Sequence, residues 1–413
     1  MVGAGISGLS AAWVLQRAAD VTLYEADDRL GGHAHTHDVL RPTGAPIAVD
    51  SGFIVHNERT YPTLLRLFAA LGVATAPSDM SMSVHCEGCG LEYAGARGLR
   101  GLFPTAENLR RPAYLRMLTE VPRFHRAARA LLRTPPGPTE PTLGQFVSTQ
   151  GYSDYFVAHF LVPVVAAVWS CGPGTAMQYP ARYLFRFLDH HGMLAVTGSP
   201  AWRTVVGGSR TYVQAVAKDL TAVHTATPVR AVTRTASGVA IRDDGDGLAQ
   251  FDAVVVATHS NQALALLGEP TATETAVLGA IPYSVNHTVL HTDQAPMPRA
   301  VRARASWNYR LRSCAGAGDA VLVTYDMKRL QSLPGPTPYL VSLNDPEVDP
   351  DRVIARMVYE HPIYTPESVA AQARLPELDD DRVVFAGAYH GWGFHEDGAA
   401  SGVRAAARLG VAW

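Results

Sequence analysis

The chain opens with MVGAGISGLSAAWVLQRAADVTLYEADDRLGGH (residues 1–33), and this stretch decides the fold. Gly3, Gly5 and Gly8 form a G-x-G-x-x-G pattern, and the apolar stretch Leu9 to Ala18 predicts a helix directly after it. In a Rossmann unit the first glycine makes a tight turn and the second lets the backbone approach a pyrophosphate. The third lets the helix pack on the strand. The pattern therefore predicts a phosphate-binding turn, with a glycine turn that holds no ligand as the alternative.

An acidic residue and a second glycine pair follow this helix in register. Val21 to Tyr24 predicts the second strand, and Glu25 stands at its end, where a carboxylate binds a ribose 2′-hydroxyl. Arg29, Gly31 and Gly32 come directly afterwards. The spacing favours a dinucleotide with an unphosphorylated adenosine ribose.

The two glycine motifs together resemble the FAD site of the flavin amine oxidase and phytoene desaturase superfamily. NAD enzymes that carry the first motif usually lack the second. A closer resemblance is to a bacterial branch of predicted NAD/FAD-binding proteins that is linked with fatty-acid modification. Four stretches carry it: DSGFIVHNERTYPTLLRLFAALGV (50–73), WRTVVGGSRTYV (202–213), SWNY (306–309) and AGAYHGWGFHEDGAASG (386–402).

The resemblance implies FAD as the cofactor and a set of residues that hold it. Gly52 and Phe53 would lie beside the isoalloxazine ring, and a helix from Ala399 to Leu409 would point its N-terminus at the flavin pyrimidine. Ala388 stands where the superfamily often has an acid, so the ribityl contact differs. The implied cofactor residues are Gly3, Gly5, Ile6, Ser7, Gly8, Glu25, Ala26, Arg29, Gly31, Gly32, Gly52, Phe53, Val229, Ala257, Thr258, Gly387, Ala388, Asp397, Gly398 and Ala399.

The expected fold class is α/β, with a Rossmann-type FAD-binding domain and a second α+β substrate domain of mixed sheet plus helices. The continuous apolar run from Phe251 to Thr258 predicts a parallel strand that is buried on both faces. The substrate domain combines an aromatic-rich helical stretch, 140–199, with alternating strands. One group of strands is expected within 79–93, and between 266 and 379 the alternation predicts strands at 284–291, 305–310, 320–325 and 339–343. We expect a discontinuous FAD-binding domain (1–70, 200–265 and 380–413) and a substrate domain (71–199 and 266–379).

The predicted first strand is short. Such a strand typically has about five residues, but Met1 and Val2 alone precede Gly3. That strand is central in the usual order and pairs on both sides. We therefore expect the natural chain to begin several apolar residues upstream.

Composition narrows the classes of function. Hydrophobic residues make up 47% of the chain and charged residues 17%, a composition that favours an ordinary globular protein. The net charge of −2 does not favour nucleic-acid binding. The most apolar run, Tyr155 to Trp169, is too short and interrupted for a membrane span. No signal peptide is visible. We expect a cytoplasmic protein.

The four cysteines are too few for a disulfide framework in a chain of this length. Cys86-x-x-Cys89 is the close pair, and neither a second C-x-x-C nor a nearby histidine pair completes a four-ligand zinc site in the sequence. We expect two free thiols on a surface hairpin and no metal.

Residues 97–133 combine nine arginines with interleaved leucines and aromatic residues. Basic and apolar side chains on helices are typical of a surface that attracts anionic lipid. This pattern predicts a peripheral contact with the inner face of the membrane. A solvated arginine face over a core-facing helix is the alternative.

Candidate catalytic groups are His56, His390 and His395, because an imidazole titrates near neutral pH and can move a proton. Many amine oxidases place a lysine near the flavin N5, but the surroundings of Lys328 do not match that motif. The sequence shows no catalytic triad, and a flavin enzyme needs none because the cofactor carries the redox chemistry.

The leading hypothesis is an FAD-dependent oxidoreductase that desaturates or oxidises an apolar, fatty-acyl substrate by hydride transfer. Three alternatives stay open. They are a redox-neutral double-bond isomerase, an amine oxidase, and a non-catalytic flavoprotein partner of a lipid-modifying enzyme.

Overall fold

The strands of the molecule form a parallel sheet near the N-terminus, a larger mixed sheet and several smaller sheets. The computed structural model describes residues 1–41, 44–137, 139–195, 198–315 and 320–413. Within these ranges the strands are β1 (Thr22–Tyr24), β2 (Thr36–Leu40), β3 (Pro46–Asp50), β4 (Val55–Asn57), β5 (Thr75–Pro77), β6 (Met82–Cys86), β7 (Leu91–Ala94), β8 (Trp202–Val205), β9 (Ala222–His224), β10 (Val229–Thr235), β11 (Gly238–Asp243), β12 (Leu248–Phe251), β13 (Val254–Val256), β14 (Tyr283–His291), β15 (Trp307–Leu311), β16 (Val323–Asp326), β17 (Leu340–Leu343), β18 (Val353–Pro362) and β19 (Val383–Phe385).

The α-helices concentrate in the first half of the chain and at its end. In the described ranges they are α1 (Ile6–Leu15), α2 (Pro62–Leu71), α3 (Gly98–Leu102), α4 (Pro112–Arg133), α5 (Leu143–Gln150), α6 (Asp154–Phe156), α7 (Val162–Trp169), α8 (Pro173–Gln178), α9 (Ala181–His190), α10 (Arg210–Ala217), α11 (Ser260–Leu266), α12 (Ala272–Leu278), α13 (Met327–Leu330), α14 (Pro366–Gln372) and α15 (His395–Arg408). A π-helical turn, Val157–Leu161, joins α6 to α7. Short 3₁₀ turns lie at Gly95–Arg97, Ala106–Arg110, Val301–Ala303, Pro350–Arg352, Leu375–Glu377 and Ala388–His390.

A parallel sheet forms around Val2, which pairs with Tyr24 of β1 on one side and with Val256 of β13 on the other. Strand β9 extends the sheet beyond β1, and β19 extends it beyond β13. Every residue of β13 and β19 is buried, as expected of parallel strands covered on both faces. The predicted Rossmann-type α/β sheet is confirmed.

Helices α1 and α15 cross beside this sheet at very short distance. All residues of α1 are buried, and a Cβ atom on Gly402 would lie 2.2 Å from the carbonyl oxygen of Ser7. The sequence placed both helices too late, since α1 begins at Ile6 and α15 at His395. The early start of α15 follows from Asp397, whose carboxylate accepts the N–H of Phe394 at 2.9 Å.

The second sheet is mixed and seven-stranded, in the order β18-β14-β17-β16-β15-β6-β7. The sequence predicted its strands apart from β18, which pairs with β14 along most of its length. Strand β18 escapes prediction because it lies at the edge of the sheet, where its first six side chains alternate between half-buried and exposed. It therefore lacks the strong apolar alternation of a covered strand.

The helical stretch between 140 and 195 packs around an aromatic core. The ring of Phe124 in α4 contacts Phe146, Phe156 and Phe185, with ring centroids 6.4, 5.7 and 5.4 Å away. Most of the aromatic residues in this stretch are therefore core residues. The predicted helical range 140–199 includes residues 196 and 197, which lie outside the described residues.

Three buried hydrophobic clusters stabilise the molecule. One joins α1, α2, α10 and α15, a second joins the aromatic helices to the mixed sheet, and a third lies around β10, β11 and β13. The domain bounds drawn from the sequence stay a prediction.

Among the helices of the described ranges, none combines the length and the apolar character that spanning a bilayer requires.

Candidate functional site

The first glycine turn lies at the carboxyl end of the parallel sheet. Gly3 has a φ of +96°, and a Cβ atom there would lie 2.8 Å from the carbonyl oxygen of Ala257. A Cβ atom on Gly8 would lie 1.9 Å from the carbonyl oxygen of Gly3. Packing alone therefore requires glycine at both positions.

Gly5 is different, because no packing constraint explains it. Its φ is −69°, which any residue adopts, and a Cβ atom there would meet no atom of the described residues within 4 Å. No side chain of the described residues caps α1 at this point, so the first N–H groups of the helix face open space. The turn has the geometry of a phosphate-binding site.

The second glycine motif is hydrogen-bonded to the first. The N–H of Gly31 donates to the carbonyl oxygen of Ala4 at 2.9 Å, and the Glu25 carboxylate accepts the N–H of Ala4 at 2.7 Å. The Arg29 guanidinium donates to the carbonyl oxygen of Gly32 at 2.9 Å. A cleft of about 340 Å³ opens beside Arg29.

The segment before β10 approaches the same loop from the other side. The N–H of Ala226 donates to the backbone carbonyl oxygen of Asp27 at 2.7 Å, and the N–H of Thr227 donates to the backbone carbonyl oxygen of Glu25 at 2.9 Å. This places Val229, two residues further on, near the end of the site that Glu25 marks. Ala257 and Thr258 contact the Gly3 position at the end of β13.

The remaining predicted cofactor residues meet at the N-terminus of α15. The N–H of Phe53 donates to the carbonyl oxygen of His33 at 2.7 Å, and the ring of Phe53 stacks on that of His395 at 3.7 Å. The N–H of Gly387 donates to the Ser401 hydroxyl of α15 at 2.9 Å. A Cβ atom on Gly398 would lie 3.8 Å from the Cβ of Ala388.

The residues present fit an elongated dinucleotide that ends in a flavin. One helix N-terminus and an open glycine lie at the phosphate end, Glu25 lies at the ribose end, and a second helix N-terminus lies at the far end. At that far end, His33 Nε2 is buried without a hydrogen-bond partner among the described residues. Such buried polar atoms are rare and indicate a missing polar partner.

Two of the three candidate catalytic histidines lie together. His395 Nε2 is 3.2 Å from the hydroxyl of Tyr212, and burial, with a smaller effect of His56, lowers the pKa of His395 to about 3. His56 lies behind Phe53, and burial lowers its pKa to about 4. Both rings are therefore neutral at neutral pH. His390 packs against Tyr389 instead, with ring centroids 4.8 Å apart, and the catalytic role of all three stays a prediction.

A second group of histidines was missed by sequence reasoning. The ring of His33 lies 5.3 Å from that of His361 and 6.1 Å from that of His259. Burial lowers the pKa of His361 to about 4, and that of His33 well below its usual range. The alternation His33, His35, His37 was visible in the sequence, but the partners come from distant parts of the chain, His361 from β18 and His259 from the start of α11.

Sequence reasoning also missed Asp50, whose side chain links several segments of the site by hydrogen bonds. Its buried carboxylate accepts the N–H of Ser209 at 3.0 Å, directly after the turn at Gly207 and Gly208, and the side-chain amide of Gln331 at 2.8 Å. Burial raises the pKa of Asp50 to about 6. Asp50 thereby holds the start of α10 against the Ser51-Gly52 turn.

An aromatic cleft of about 150 Å³ adjoins the N-terminus of α15. Trp392, Phe394 and Tyr61 line it together with His190 and His191. Two core residues hold these walls in place: the indole of Trp169 donates to the carbonyl oxygen of Trp392 at 3.1 Å, and Phe187 stacks on Phe394 at 4.9 Å. We refer to these lining residues as the aromatic cleft.

Two carboxylates lie at the base of the aromatic cleft. Glu396 accepts the N–H groups of Thr63 and Leu64, each at 3.0 Å, and so caps α2. Burial raises the pKa of Asp397 to about 7. The chain has two lysines, and both Lys218 and Lys328 are exposed.

Away from these clefts, the fold brings His159 and Cys314 to Cys86 and Cys89. The structure thus adds two possible ligands to the C-x-x-C pair, and the expectation of no metal stays a prediction. The spacing could not show these ligands, because both side chains come from elements far away in the sequence.

The buried histidines predict an acid-sensitive fold. Their folded pKa values lie below the unfolded value of 6.5, so the unfolded chain binds more protons. Their contribution to stability is full above about pH 6.5 and is lost as the pH falls. The carboxyls of Asp50 and Asp397 act in the opposite sense, because their raised pKa values favour folding at low pH. The histidines with a pKa lowered to about 3 or 4 outnumber them: His35, His56, His85, His125, His191, His361, His390 and His395.

We expect the melting temperature of the apoprotein to fall between pH 7 and pH 5. Each such imidazole contributes at most about 2 kcal/mol over this interval. Differential scanning fluorimetry across this range measures the effect. A melting temperature that stays constant or rises toward pH 5 would show that these imidazoles are not buried in the folded chain.

Comparisons with known proteins agree with this geometry. The family model described as flavin containing amine oxidoreductase matches residues 6–410. An engineered putrescine oxidase superposes with a TM-score of 0.69 at 16% identity, covering 99% of this chain and 97% of that chain. Cyclohexylamine oxidase from Brevibacterium oxydans gives 0.69 at 18% identity with the same coverage. A CLA-producing fatty acid isomerase from P. acnes gives 0.67 at 14% identity, covering 97% of this chain and 96% of that chain. No curated protein matches the chain.

Proposed function

Since this chain belongs to the flavin containing amine oxidoreductase family and is an FAD-dependent oxidoreductase, we propose that its substrate is an apolar, unsaturated fatty-acyl chain. FAD, when bound, would supply the hydride acceptor for the reaction. In the proposed desaturation or oxidation, one C–H bond of the substrate would lose a hydride and a neighbouring bond a proton, which a neutral imidazole such as His395 would accept. Molecular oxygen or a quinone would then take the two electrons from the reduced enzyme.

The observation that carries this proposal is the aromatic cleft beside the N-terminus of α15. Its walls are Trp392, Phe394 and Tyr61, which offer flat apolar surface and exclude water from an acyl chain. The imidazole of His191 in the same wall has its pKa lowered to about 4 by burial, so it carries no charge at neutral pH. The two carboxylates at the base of the cleft are held by backbone groups, since Glu396 accepts the N–H groups of Thr63 and Leu64 and Asp397 accepts that of Phe394. The aromatic walls are therefore the surface that the cleft offers to an apolar chain.

The chain's own residues would orient the substrate and handle protons. His395 is held by the Tyr212 hydroxyl and by stacking on Phe53, which fixes its ring beside the N-terminus of α15. The positive end of that helix stabilises negative charge by about 0.3–1 kcal/mol, and by more where it is buried. This environment suits a cofactor that becomes anionic on reduction.

An amine substrate is supported less well. The two lysines of the chain are exposed, so the lysine that many amine oxidases place near the flavin has no counterpart in this site. The amine oxidases named above share the fold at 16–18% identity, and that likeness carries no substrate with it.

A redox-neutral isomerase is the second candidate, because it requires the same apolar cleft beside the flavin. The fatty acid isomerase from P. acnes is an example of such an enzyme with this fold, at 14% identity. The same aromatic cleft would hold the acyl chain while a hydride is removed and returned to another carbon. The two candidates differ in one measurable respect, since an isomerase consumes no electron acceptor. A partner role beside a lipid-modifying enzyme would show no turnover until that enzyme is added.

Contact with a membrane surface through residues 97–133 remains part of the proposal. Leu99, Leu109 and Leu115 in this stretch expose 75%, 58% and 38% of their surface. Arg100 and Arg110 are exposed beside them. Apolar and basic side chains together favour an anionic lipid surface, from which an acyl substrate would be taken.

Replacing Trp392 by alanine should separate substrate binding from cofactor binding. We expect kcat/KM for oleic acid to fall by about tenfold or more, since a truncated aromatic wall loses roughly 1.4 kcal/mol or more of substrate contact. The flavin content, read from the visible spectrum of the purified protein, should stay unchanged. Steady-state acceptor reduction measures the rate.

Trp413→Ala is the matched control, because Trp413 packs edge-on against Trp13 at the C-terminus, away from the cleft. Its kinetics should equal those of the unchanged enzyme. Equal kcat/KM values in Trp392→Ala and Trp413→Ala would contradict the assignment of the aromatic cleft as the acyl site.

A further inference from the structure

A cluster of three cysteines and one histidine lies at the edge of the mixed sheet, outside the flavin site. The ligand atoms of Cys86, Cys89, His159 and Cys314 all lie within 4.8 Å of one another. We propose that these four side chains bind one zinc ion in a closed, tetrahedral structural site. The proposal is independent of the substrate and of turnover.

The four side chains come from three separate elements. Cys86 ends β6, and Cys89 lies in the turn that leads to β7. Cys314 follows β15, which pairs in parallel with β6 so that Leu311 lies opposite Cys86. His159 projects from the π-helical turn between α6 and α7, an irregularity that is frequent at functional sites.

Two of the interatomic distances match those of a zinc site, and the other ligand atoms lie within 4.8 Å of one another. Zn–S bonds of about 2.3 Å and Zn–N bonds of about 2.0–2.1 Å at tetrahedral angles place two sulfurs about 3.8 Å apart, and a sulfur and a nitrogen about 3.6 Å apart. The sulfurs of Cys86 and Cys314 are separated by 3.8 Å. The sulfur of Cys89 lies 3.6 Å from His159 Nε2.

The histidine is oriented as a metal ligand. Its Nδ1 lies 3.1 Å from the carbonyl oxygen of Tyr155, which can only accept a hydrogen bond, so Nδ1 carries the proton. The lone pair of Nε2 therefore faces the sulfurs. Metal-bound histidines usually donate their second ring nitrogen to such a carbonyl or carboxylate group.

Glycines let the turn between β6 and β7 lie close to the segment that carries Cys314. A Cβ atom on Gly88 would lie 3.0 Å from the backbone nitrogen of Cys314, and Gly90 has a φ of +68°. The guanidinium of Arg111 donates to the carbonyl oxygens of Cys89 and Gly90. Three thiolates and Zn²⁺ carry one net negative charge, and Arg111 provides a neighbouring positive charge.

The zinc ion would fasten the β6–β7 hairpin to two other parts of the molecule. Strand β7 is the last strand of the mixed sheet, and the π-helical turn belongs to the aromatic helical layer. A single ion at this point joins the sheet edge, the segment after β15 and the helical layer. The thiol chemistry selects zinc over magnesium or calcium, which prefer oxygen ligands.

The metal content of the full-length protein tests the proposal directly. We expect inductively coupled plasma mass spectrometry to find about one zinc per chain in protein made in zinc-supplemented medium. Cys89→Ser and His159→Ala should each reduce this content at least about fivefold. Cys171→Ala is the matched control, since Cys171 is a buried free thiol outside the cluster, and it should keep its zinc.

A second measurement uses the unchanged chain and so does not depend on how the variants fold. A mercurial reagent added with a chromogenic zinc indicator should release the metal as the cluster thiols are modified. Pre-treatment with a strong chelator should lower the melting temperature. The flavin spectrum before treatment reports separately on the FAD site, so failure of either assignment can be distinguished from failure of the other.

Three results would overturn the zinc site. The first is unchanged protein with less than about a tenth of an equivalent of zinc after incubation with zinc chloride under reducing conditions. The second is iron in place of zinc. The third is a folded Cys314→Ser variant that holds zinc as tightly as Cys171→Ala.

Discussion

Replacing Gly5 by valine is expected to abolish FAD binding while the chain stays folded. The backbone at Gly5 is extended, and a Cβ atom would meet no atom of the described residues within 4 Å. The valine side chain would instead fill the space in which the pyrophosphate approaches the N-terminus of α1. We expect the Kd for FAD to rise by about 100-fold or more, equivalent to about 2.7 kcal/mol. Fluorescence titration of the apoprotein with FAD measures this.

Gly95→Val is the matched control for that substitution. Gly95 is exposed, and a Cβ atom there would also meet no described atom within 4 Å, but it lies outside the parallel sheet. Its Kd for FAD should not change. If Gly5→Val binds FAD as tightly as Gly95→Val, the glycine turn is not the pyrophosphate site.

Replacing Gly402 by valine should destabilise the whole nucleotide-binding part of the molecule. The first atom of the new side chain would lie 2.2 Å from the carbonyl oxygen of Ser7 and 3.0 Å from the backbone nitrogen of Ala11. Backbone atoms of a buried helix cannot yield by that much, so α1 and α15 must separate. We expect a loss of at least about 3 kcal/mol in the free energy of unfolding, measured by urea denaturation of the apoprotein. FAD binding should weaken with it, since both helix N-termini would move.

Ala407→Val on the same helix provides the comparison. Ala407 is exposed, so the same added volume extends into solvent and should change the free energy of unfolding by about 0.5 kcal/mol or less. Equal stability of Gly402→Val and Ala407→Val would show that the two helices do not cross as described.

The sequence was sufficient to predict the turn and strand at the nucleotide-binding end, because the constraints on the residues there are local. Gly3 and Gly8 are required by contacts within a few residues of each other or with one neighbouring strand. Glu25 follows from the length of one helix and one strand. Such spacing can be counted along the chain, and the structure has the glycine turn before α1 and Glu25 directly after β1, in the order that the spacing predicts. The contacts of these residues with FAD stay a prediction.

The ends of elements were less predictable. Helix α15 starts at His395 because the Asp397 side chain caps the N–H of Phe394, whereas the sequence pattern of small residues becomes regular at Ala399. Edge strand β18 has no fully buried face, so its periodicity is weak. The sequence pattern missed the start of α15 because one side-chain hydrogen bond extends the helix. It missed β18 because neither face of that strand is fully buried.

The histidine group and the cysteine cluster could not be derived from spacing. His33 and His361 are far apart in sequence and meet because β18 packs against the glycine loop. Cys314 reaches Cys86 because β15 and β6 pair in parallel. Partner choice among strands is a property of the whole sheet, and the sequence pattern of one strand does not contain it.

The most direct test of the account is an anaerobic visible spectrum of the FAD-loaded enzyme during titration with oleic acid, compared with putrescine and cyclohexylamine. We predict that oleic acid bleaches the oxidised flavin band near roughly 450 nm, that the amines do not, and that admitting air restores the band. A flavin that stays oxidised while the position of the double bond changes would favour the isomerase. Bleaching by either amine with no response to the fatty acid would contradict the proposed substrate.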